Sequence, residues 1–184
     1  FGATTLRRRH FDIAGRKIML RYRAKSGQER ELAVTDTRLL RFVRQVQDLP
    51  GQHLFQYLDE DGDARPINSS DVNAYIAEAM GAPFTAKHFR TWGASVIAFE
   101  QLATGPVSLK AMIAPVAEAL GNTPAISRKS YIHPALIALC KDGQEDWRST
   151  LRLPRRTRYL SRMERGLIAF LDDIADCSPL AAAA

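Results

Sequence analysis

The sequence predicts an α+β fold, predominantly α-helical with a small three-stranded antiparallel β-sheet near the N-terminus. Period-two alternation over residues 6–34, a change to helical spacing from Thr37, and a succession of apolar stripes punctuated by glycine and proline predict it. In the first stretch Phe11 and Ile13, then Ile18, Leu20 and Tyr22, then Leu32 and Val34 alternate with polar residues. Ala14-Gly15 and Lys25-Ser26-Gly27 separate the three runs. The second turn carries Lys25 at a hairpin tip flanked by Arg21, Arg23 and Arg30.

From Thr37 to Leu49 the apolar positions are Leu39, Leu40, Val43 and Val46, one face of a helix closed by Pro50-Gly51. The rest of the chain reads as helical. Ser70 or Asp71 can cap a short helix bearing Val72, Tyr75, Ile76 and Ala79, which Gly81 ends. Thr85 caps a longer one whose stripe is Phe89, Trp92, Val96, Phe99 and Leu102 or Ala103, with Arg90 at the rim of that stripe. Leu109, Met112, Ile113, Val116 and Leu120 lead to Gly121, with a kink expected at Pro115. Thr123-Pro124 restarts a helix carrying Ile126 and Tyr131, and His133-Pro134 breaks it ahead of a short turn set over residues 135–139. A final helix over residues 158–175 turns Leu160, Met163, Leu167, Phe170, Leu171 and Ile174 inward and Arg158, Arg162 and Arg165 outward. Residues 1–180 read as one domain and 181–184 as an alanine tail.

With 184 residues, 46% apolar and 25% charged, the chain is long enough for a conventional core and far from disordered composition. Its 26 Lys+Arg against 20 Asp+Glu give +6, and a pI near 9.6 points to a polyanionic partner. Cys140 and Cys177 stand far apart with no paired histidines, so neither a disulfide framework nor a zinc site is indicated. No apolar run is long enough to span a membrane, and the basic start has no signal-peptide core. A soluble, cytoplasmic, monomeric protein is expected. The chain opens on Phe1 in mid-pattern and is expected to be part of something longer. Asp59, Glu60, Asp61 and Asp63 around Gly62 read as a solvated turn, because a calcium loop would need a ligand at its twelfth position.

Four local patterns remain: Arg23-Ala24-Lys25-Ser26-Gly27, Lys87-His88-Phe89-Arg90-Thr91-Trp92, Leu120-Gly121-Asn122-Thr123-Pro124 and Ser127-Arg128-Lys129-Ser130-Tyr131. Each alone has an ordinary structural reading, as a solvated turn, a surface arginine, a helix terminus and a half-buried tyrosine. Their combination in this order resembles the type IB DNA topoisomerase family, most closely its compact bacterial and poxvirus branch. The resemblance runs from Phe1-Gly2-Ala3-Thr4-Thr5-Leu6-Arg7-Arg8-Arg9-His10 through Leu54-Phe55-Gln56-Tyr57 to Tyr131.

The resemblance implies the catalytic fold that type IB topoisomerases share with tyrosine recombinases, and strand cleavage and religation of duplex DNA through a 3′-phosphotyrosyl bond, without ATP, metal or other cofactor. It makes Tyr131 the nucleophile, Arg90 a transition-state ligand, Lys25 the general acid and Asn122 a donor to a phosphate oxygen. Lys87, Arg128, Lys129 and Arg23 become DNA contacts. Poxvirus and eukaryotic members have a histidine where this chain has Asn122, while bacterial relatives tolerate asparagine. An amide donates a hydrogen bond but exchanges no proton at neutral pH, so the role of Asn122 reduces to hydrogen bonding. The family also has a further catalytic arginine upstream of the first strand and an N-terminal lobe that clamps DNA. Neither falls within this sequence, so this stretch alone is expected to be inactive or impaired, in a bacterial, nucleoid-associated setting.

The residue types suit that chemistry. Attack on a phosphodiester raises negative charge on the non-bridging oxygens, and fixed cations and N–H donors aimed there lower the barrier. Arginine offers a planar, permanently charged fork. The 5′ oxygen leaves poorly unless protonated, which a lysine can do if neighbouring arginines lower its pKa. A phenol with a reference pKa of about 10 needs the same cationic help to attack. Two alternatives differ in kind. A tyrosine recombinase or integrase shares the fold, and Leu120-Gly121-Asn122 echoes its Leu-Gly-His, but Lys87 to Trp92 follows the topoisomerase pattern. A non-catalytic DNA-binding module would use the basic stretches Arg7 to Arg9 and Arg148 to Arg165 and leave Tyr131 idle. His88 and His133 are assigned no catalysis, only places near a helix start and a break.

Overall fold

The computed structural model describes residues 3–23, 27, 29–46 and 50–176. The chain divides into two compact units, Phe1–Thr85 and Ala86–Ala184.

The first unit holds the expected sheet. Strands β1 (Phe11–Ala14), β2 (Lys17–Arg23) and β3 (Glu29–Val34) pair antiparallel in the order β1-β2-β3. The register sets Ile13 opposite Ile18 and Ile18 opposite Val34. Period-two alternation therefore puts these side chains on one face, where they pack with helix α1 (Thr37–Val46) through Leu40 and Val43. Asp36 caps α1, its carboxylate accepting from the Arg38 and Leu39 amides at 2.8 Å each. The opposite sheet face is polar and carries two cross-strand ion pairs, Arg21–Glu31 at 3.2 Å and Arg23–Glu29 at 3.9 Å. The segment before the sheet is tied down by the Leu54 amide donating to the Leu6 carbonyl at 2.9 Å and the Arg8 amide to Gln52 at 3.0 Å.

Two expectations for this unit need correction. Residues after Pro50 are not all helical: β4 (Gln56–Leu58) and β5 (Ala64–Pro66) form a hairpin. The acidic run is its turn, as Asp59 accepts from the Asp61 and Asp63 amides and binds Arg65 at 2.7 Å. That Arg65 hydrogen bond, with the two amides, holds the Asp59 carboxyl below its usual range. Helix α2 (Ser69–Met80) is capped by Asn68, not by Ser70 or Asp71. Asn68 accepts from the Ser70 and Asp71 amides, and Asp71 accepts in return from the Asn68 amide at 2.8 Å, a reciprocal capping box. None of its residues is buried, and Tyr75 is 72% exposed.

The second unit is helical: α3 (Ala86–Thr104), α4 (Leu109–Leu120), α5 (Pro124–Ser130), α6 (Pro134–Lys141), α7 (Gln144–Thr150) and α8 (Arg162–Asp176). Its core gathers Ala94, Ala98, Phe99 and Leu102 of α3 with Met112, Ile113 and Val116 of α4, Leu136 and Cys140 of α6, and Leu167 of α8. Phe99 meets Trp147 edge-on, centroids 5.5 Å apart, and Phe170 at 6.2 Å. Gly166 lets α8 approach this closely, since a Cβ there would lie 2.9 Å from the Phe99 ring and 2.7 Å from Leu153. Gln144 fastens the α3–α4 connection, its side-chain amide accepting from the Val107 amide at 2.9 Å and donating to the Val107 carbonyl at 3.1 Å. Burial pushes the Cys140 thiol up, so it sits as a small apolar group.

The α3 stripe is as expected for Trp92, Val96, Phe99, Leu102 and Ala103, which lie in or against the core, but not for Phe89. Phe89 is 57% exposed, and the buried face runs Ala94, Ser95, Ala98, Phe99, Leu102, because neighbours cover the helix only from its second turn onward. Pro115 lies inside α4 without breaking it. The last helix begins at Arg162, where Ser161 and Glu164 form a capping box: the Glu164 amide donates to Ser161 Oγ at 3.1 Å and Glu164 Oε2 accepts from the Ser161 amide at 2.7 Å. Those Ser161 bonds, with a further one from Trp92, hold the Glu164 carboxyl below its usual range. Among the described residues no helix is long and apolar enough to cross a membrane.

His10 supplies a test of the first unit. It is 8% exposed, and its Nδ1 accepts the Arg7 amide at 3.0 Å, so the folded state holds it neutral. Burial, then Arg9 and Arg7, lower its pKa below the usual 6.5. The unfolded chain therefore takes up a proton more readily, and stability present above about pH 6.5 is lost as pH falls. Urea unfolding between pH 7.5 and 5 should show a falling midpoint, and His10→Gln should flatten that dependence.

Candidate active site on the helical unit

Helix α3 starts the site. Lys87 and Arg90 are three residues apart and so lie on neighbouring turns of one helix face, both exposed. The Arg90 Nη2 donates to the Leu120 carbonyl at 3.0 Å, the last residue of α4. A cation at a helix C-terminus meets the negative end of the helix dipole and an unused carbonyl, which holds the guanidinium in place. Among the described residues Arg90 pairs with no carboxylate, so the rest of its fork stays available.

The same helix end places Asn122. Gly121 ends α4 in the left-handed region at φ 63°, with its amide donating to the Glu118 carbonyl at 3.1 Å and the Asn122 amide to Ala117 at 3.0 Å. This is a Schellman terminus, in which glycine takes the conformation costly for other residues. It uses the Asn122 backbone and leaves the side chain free. Asn122 Nδ2 is buried with no hydrogen-bond partner among the described residues, and so is Ser127 Oγ on α5. A buried donor without a partner costs stability.

Tyr131 follows directly on α5, which Thr123 caps with a bond from the Ile126 amide at 3.3 Å. Its own amide donates to the Ser127 carbonyl at 3.1 Å. The residue leaves helical geometry there at φ −133°, because His133-Pro134 must begin α6. The half-buried ring lies against Arg90, whose Cζ is 5.0 Å from the ring centroid. Arg90, the Leu120–Asn122 helix end and Tyr131 are thus brought to one place. Arg128 and Lys129 stand exposed in the last turn of α5, just before Tyr131. His133 has a structural role, its Nδ1 accepting the Ala135 amide at 3.3 Å to cap α6.

Sequence reasoning missed Ser95. This serine, 4% exposed on α3, donates from Oγ to the Tyr131 carbonyl at 3.4 Å and accepts the His133 amide at 3.1 Å. It clamps the backbone on both sides of Ile132 to the helix that bears Arg90. A small polar residue inside the apolar stripe between Trp92 and Phe99 was the available signal. In the first unit Arg23 is paired with Glu29, and Lys25 lies outside the described residues.

Tyr131 thus lies against a fixed guanidinium beside an unpartnered amide, on a mostly helical α+β chain. The chain matches the family model "Eukaryotic DNA topoisomerase I, catalytic core" over residues 1–137. It is 32% identical over 161 residues to "DNA topoisomerase 1B" of Acanthamoeba polyphaga mimivirus, an alignment covering 79% of this chain and 48% of that relative. The chain belongs to the type IB DNA topoisomerase family, in its compact poxvirus-like branch. It spans about half the length of that relative.

Ser95→Ala should lower the unfolding free energy by about 1–3 kcal/mol, since it strands the His133 amide. Asn122→Ala should be neutral or slightly stabilising in the same urea titration, as its side-chain nitrogen has no protein partner to lose.

Proposed function

We propose that the protein cleaves and reseals one strand of duplex DNA, with Tyr131 as nucleophile, and so relaxes supercoils. The observation that carries this reading is the Arg90 guanidinium seated 5.0 Å from the Tyr131 ring while anchored to the helix end that presents Asn122. The Tyr131 hydroxyl gives up its proton to solvent as its oxygen attacks phosphorus, the bond to the 5′ oxygen breaks, and the product is a 3′-phosphotyrosyl ester with a free 5′ hydroxyl. Arg90 and the Asn122 amide donate to the non-bridging oxygens as charge builds on them. Lys25 delivers the proton to the departing 5′ oxygen. Attack of that hydroxyl on the phosphotyrosyl ester reverses each step, and the energy of the diester is retained throughout. Lys87, Arg128, Lys129 and Arg23 contact flanking phosphates.

Denaturing the full-length enzyme during incubation with plasmid DNA should trap a covalent adduct that Tyr131→Phe abolishes while leaving DNA binding nearly intact. Arg90→Ala should slow cleavage by about 10²- to 10³-fold, with Asn122→Ala milder because only a neutral bond is lost. An adduct from Tyr131→Phe refutes the assignment. Lys25→Ala should be rescued by a substrate with sulfur in place of the 5′ oxygen, since a thiolate leaves without a proton. Equal slowing on both substrates would make Lys25 a phosphate ligand and not the acid.

A further inference from the structure

We infer that residues 152–165 form a second phosphate-binding surface for duplex DNA, separate from the groups around Tyr131. The inference rests on DNA being the substrate, and it extends past the matched family residues, which end at 137.

The segment carries Arg152, Arg155, Arg156, Arg158, Arg162 and Arg165 against one acid, Glu164. Glu164 is spent elsewhere: it caps α8 through Ser161 and accepts the Trp92 indole N–H at 3.5 Å. Among the described residues none of the six arginines has a carboxylate partner, whereas Arg21, Arg23 and Arg65 of the first unit each have one. Arginines crowded without counter-charge repel one another, and a polyanion relieves that repulsion.

The segment is also built. Thr157 Oγ1 accepts the Leu160 amide at 3.0 Å and the Tyr159 amide at 3.4 Å, and the Thr157 amide donates to the Leu160 carbonyl at 2.9 Å. Arg165 donates to the Arg155 carbonyl, bracing the loop on α8. This turn holds Tyr159 81% exposed, with Arg158 Cζ 5.3 Å from its ring. A tyrosine so placed has no core to fill, and its hydroxyl suits a phosphate oxygen. The Trp92–Glu164 bond ties the start of α8 to α3 two residues beyond Arg90, so the patch is braced on the helix that bears the active-site arginine.

The test is equilibrium binding of a labelled 30-base-pair duplex between 50 and 200 mM salt. Each phosphate contact contributes about 0.9 to the slope of log affinity against log salt. Arg155→Ala/Arg156→Ala/Arg158→Ala together should make the slope shallower by about 2 to 3 and weaken binding about tenfold or more at the low-salt end, while lysine at all three positions should restore the slope. A folded alanine variant that binds with the parent's slope and affinity overturns the inference and leaves the Tyr131 reading standing. A parent that binds no duplex overturns both. Should the triple variant fail to fold, Arg156→Glu and Arg158→Glu singly must each flatten the slope, and unchanged slopes overturn the inference.

Discussion

Helix α3 is packed along one side and chemically equipped at one end, and a rigid helix cannot satisfy one condition independently of the other. Phe99 sits where Trp147, Phe170 and the bare backbone of Gly166 close around it. With that ring fixed, Arg90 is fixed nine residues back, about 13 Å along the axis, and Ser95 falls between them. Ser95 then hands the placement on to Tyr131 and His133. A loss of packing at Phe99 would thus reach Tyr131 through the helix and Ser95.

The polar groups of the helical unit fall into two kinds. Gln144, Ser95, Glu164 and His133 are satisfied by backbone atoms and hold connections together. Asn122 Nδ2 has no protein partner among the described residues, and Arg90 and the arginines of 152–165 have no carboxylate partner there. Folding gains nothing from the second kind, since desolvated donors and like charges oppose it. A phosphate backbone supplies the acceptor and the counter-charge together.

The basic hairpin of the first unit is less positive than its arginine count suggests. Arg21 and Arg23 lie opposite Glu31 and Glu29 in the strand register, so each charge is offset by a neighbour.

Alternation and capping chemistry are local, so the three strands, α1 and the glycine end at Gly121 could be read directly from residues 6–46 and 109–122. The roles of Arg90, Asn122 and Tyr131 came from the family resemblance of the four patterns, and the structure adds that Arg90, the helix end before Asn122 and Tyr131 lie together. The β4–β5 hairpin was not legible, since its strands are three residues each and show no period. The α3 stripe was read correctly except at Phe89, because how far along a helix its neighbours reach is not recorded in its own spacing. Only tertiary structure could show that Ser95 clamps the Tyr131 turn, that Arg90 anchors on Leu120, and that Glu164 is withheld from the arginines around it. These are contacts between residues about 30 to 70 positions apart, and long-range pairing is set by how helices pack, which no local pattern records.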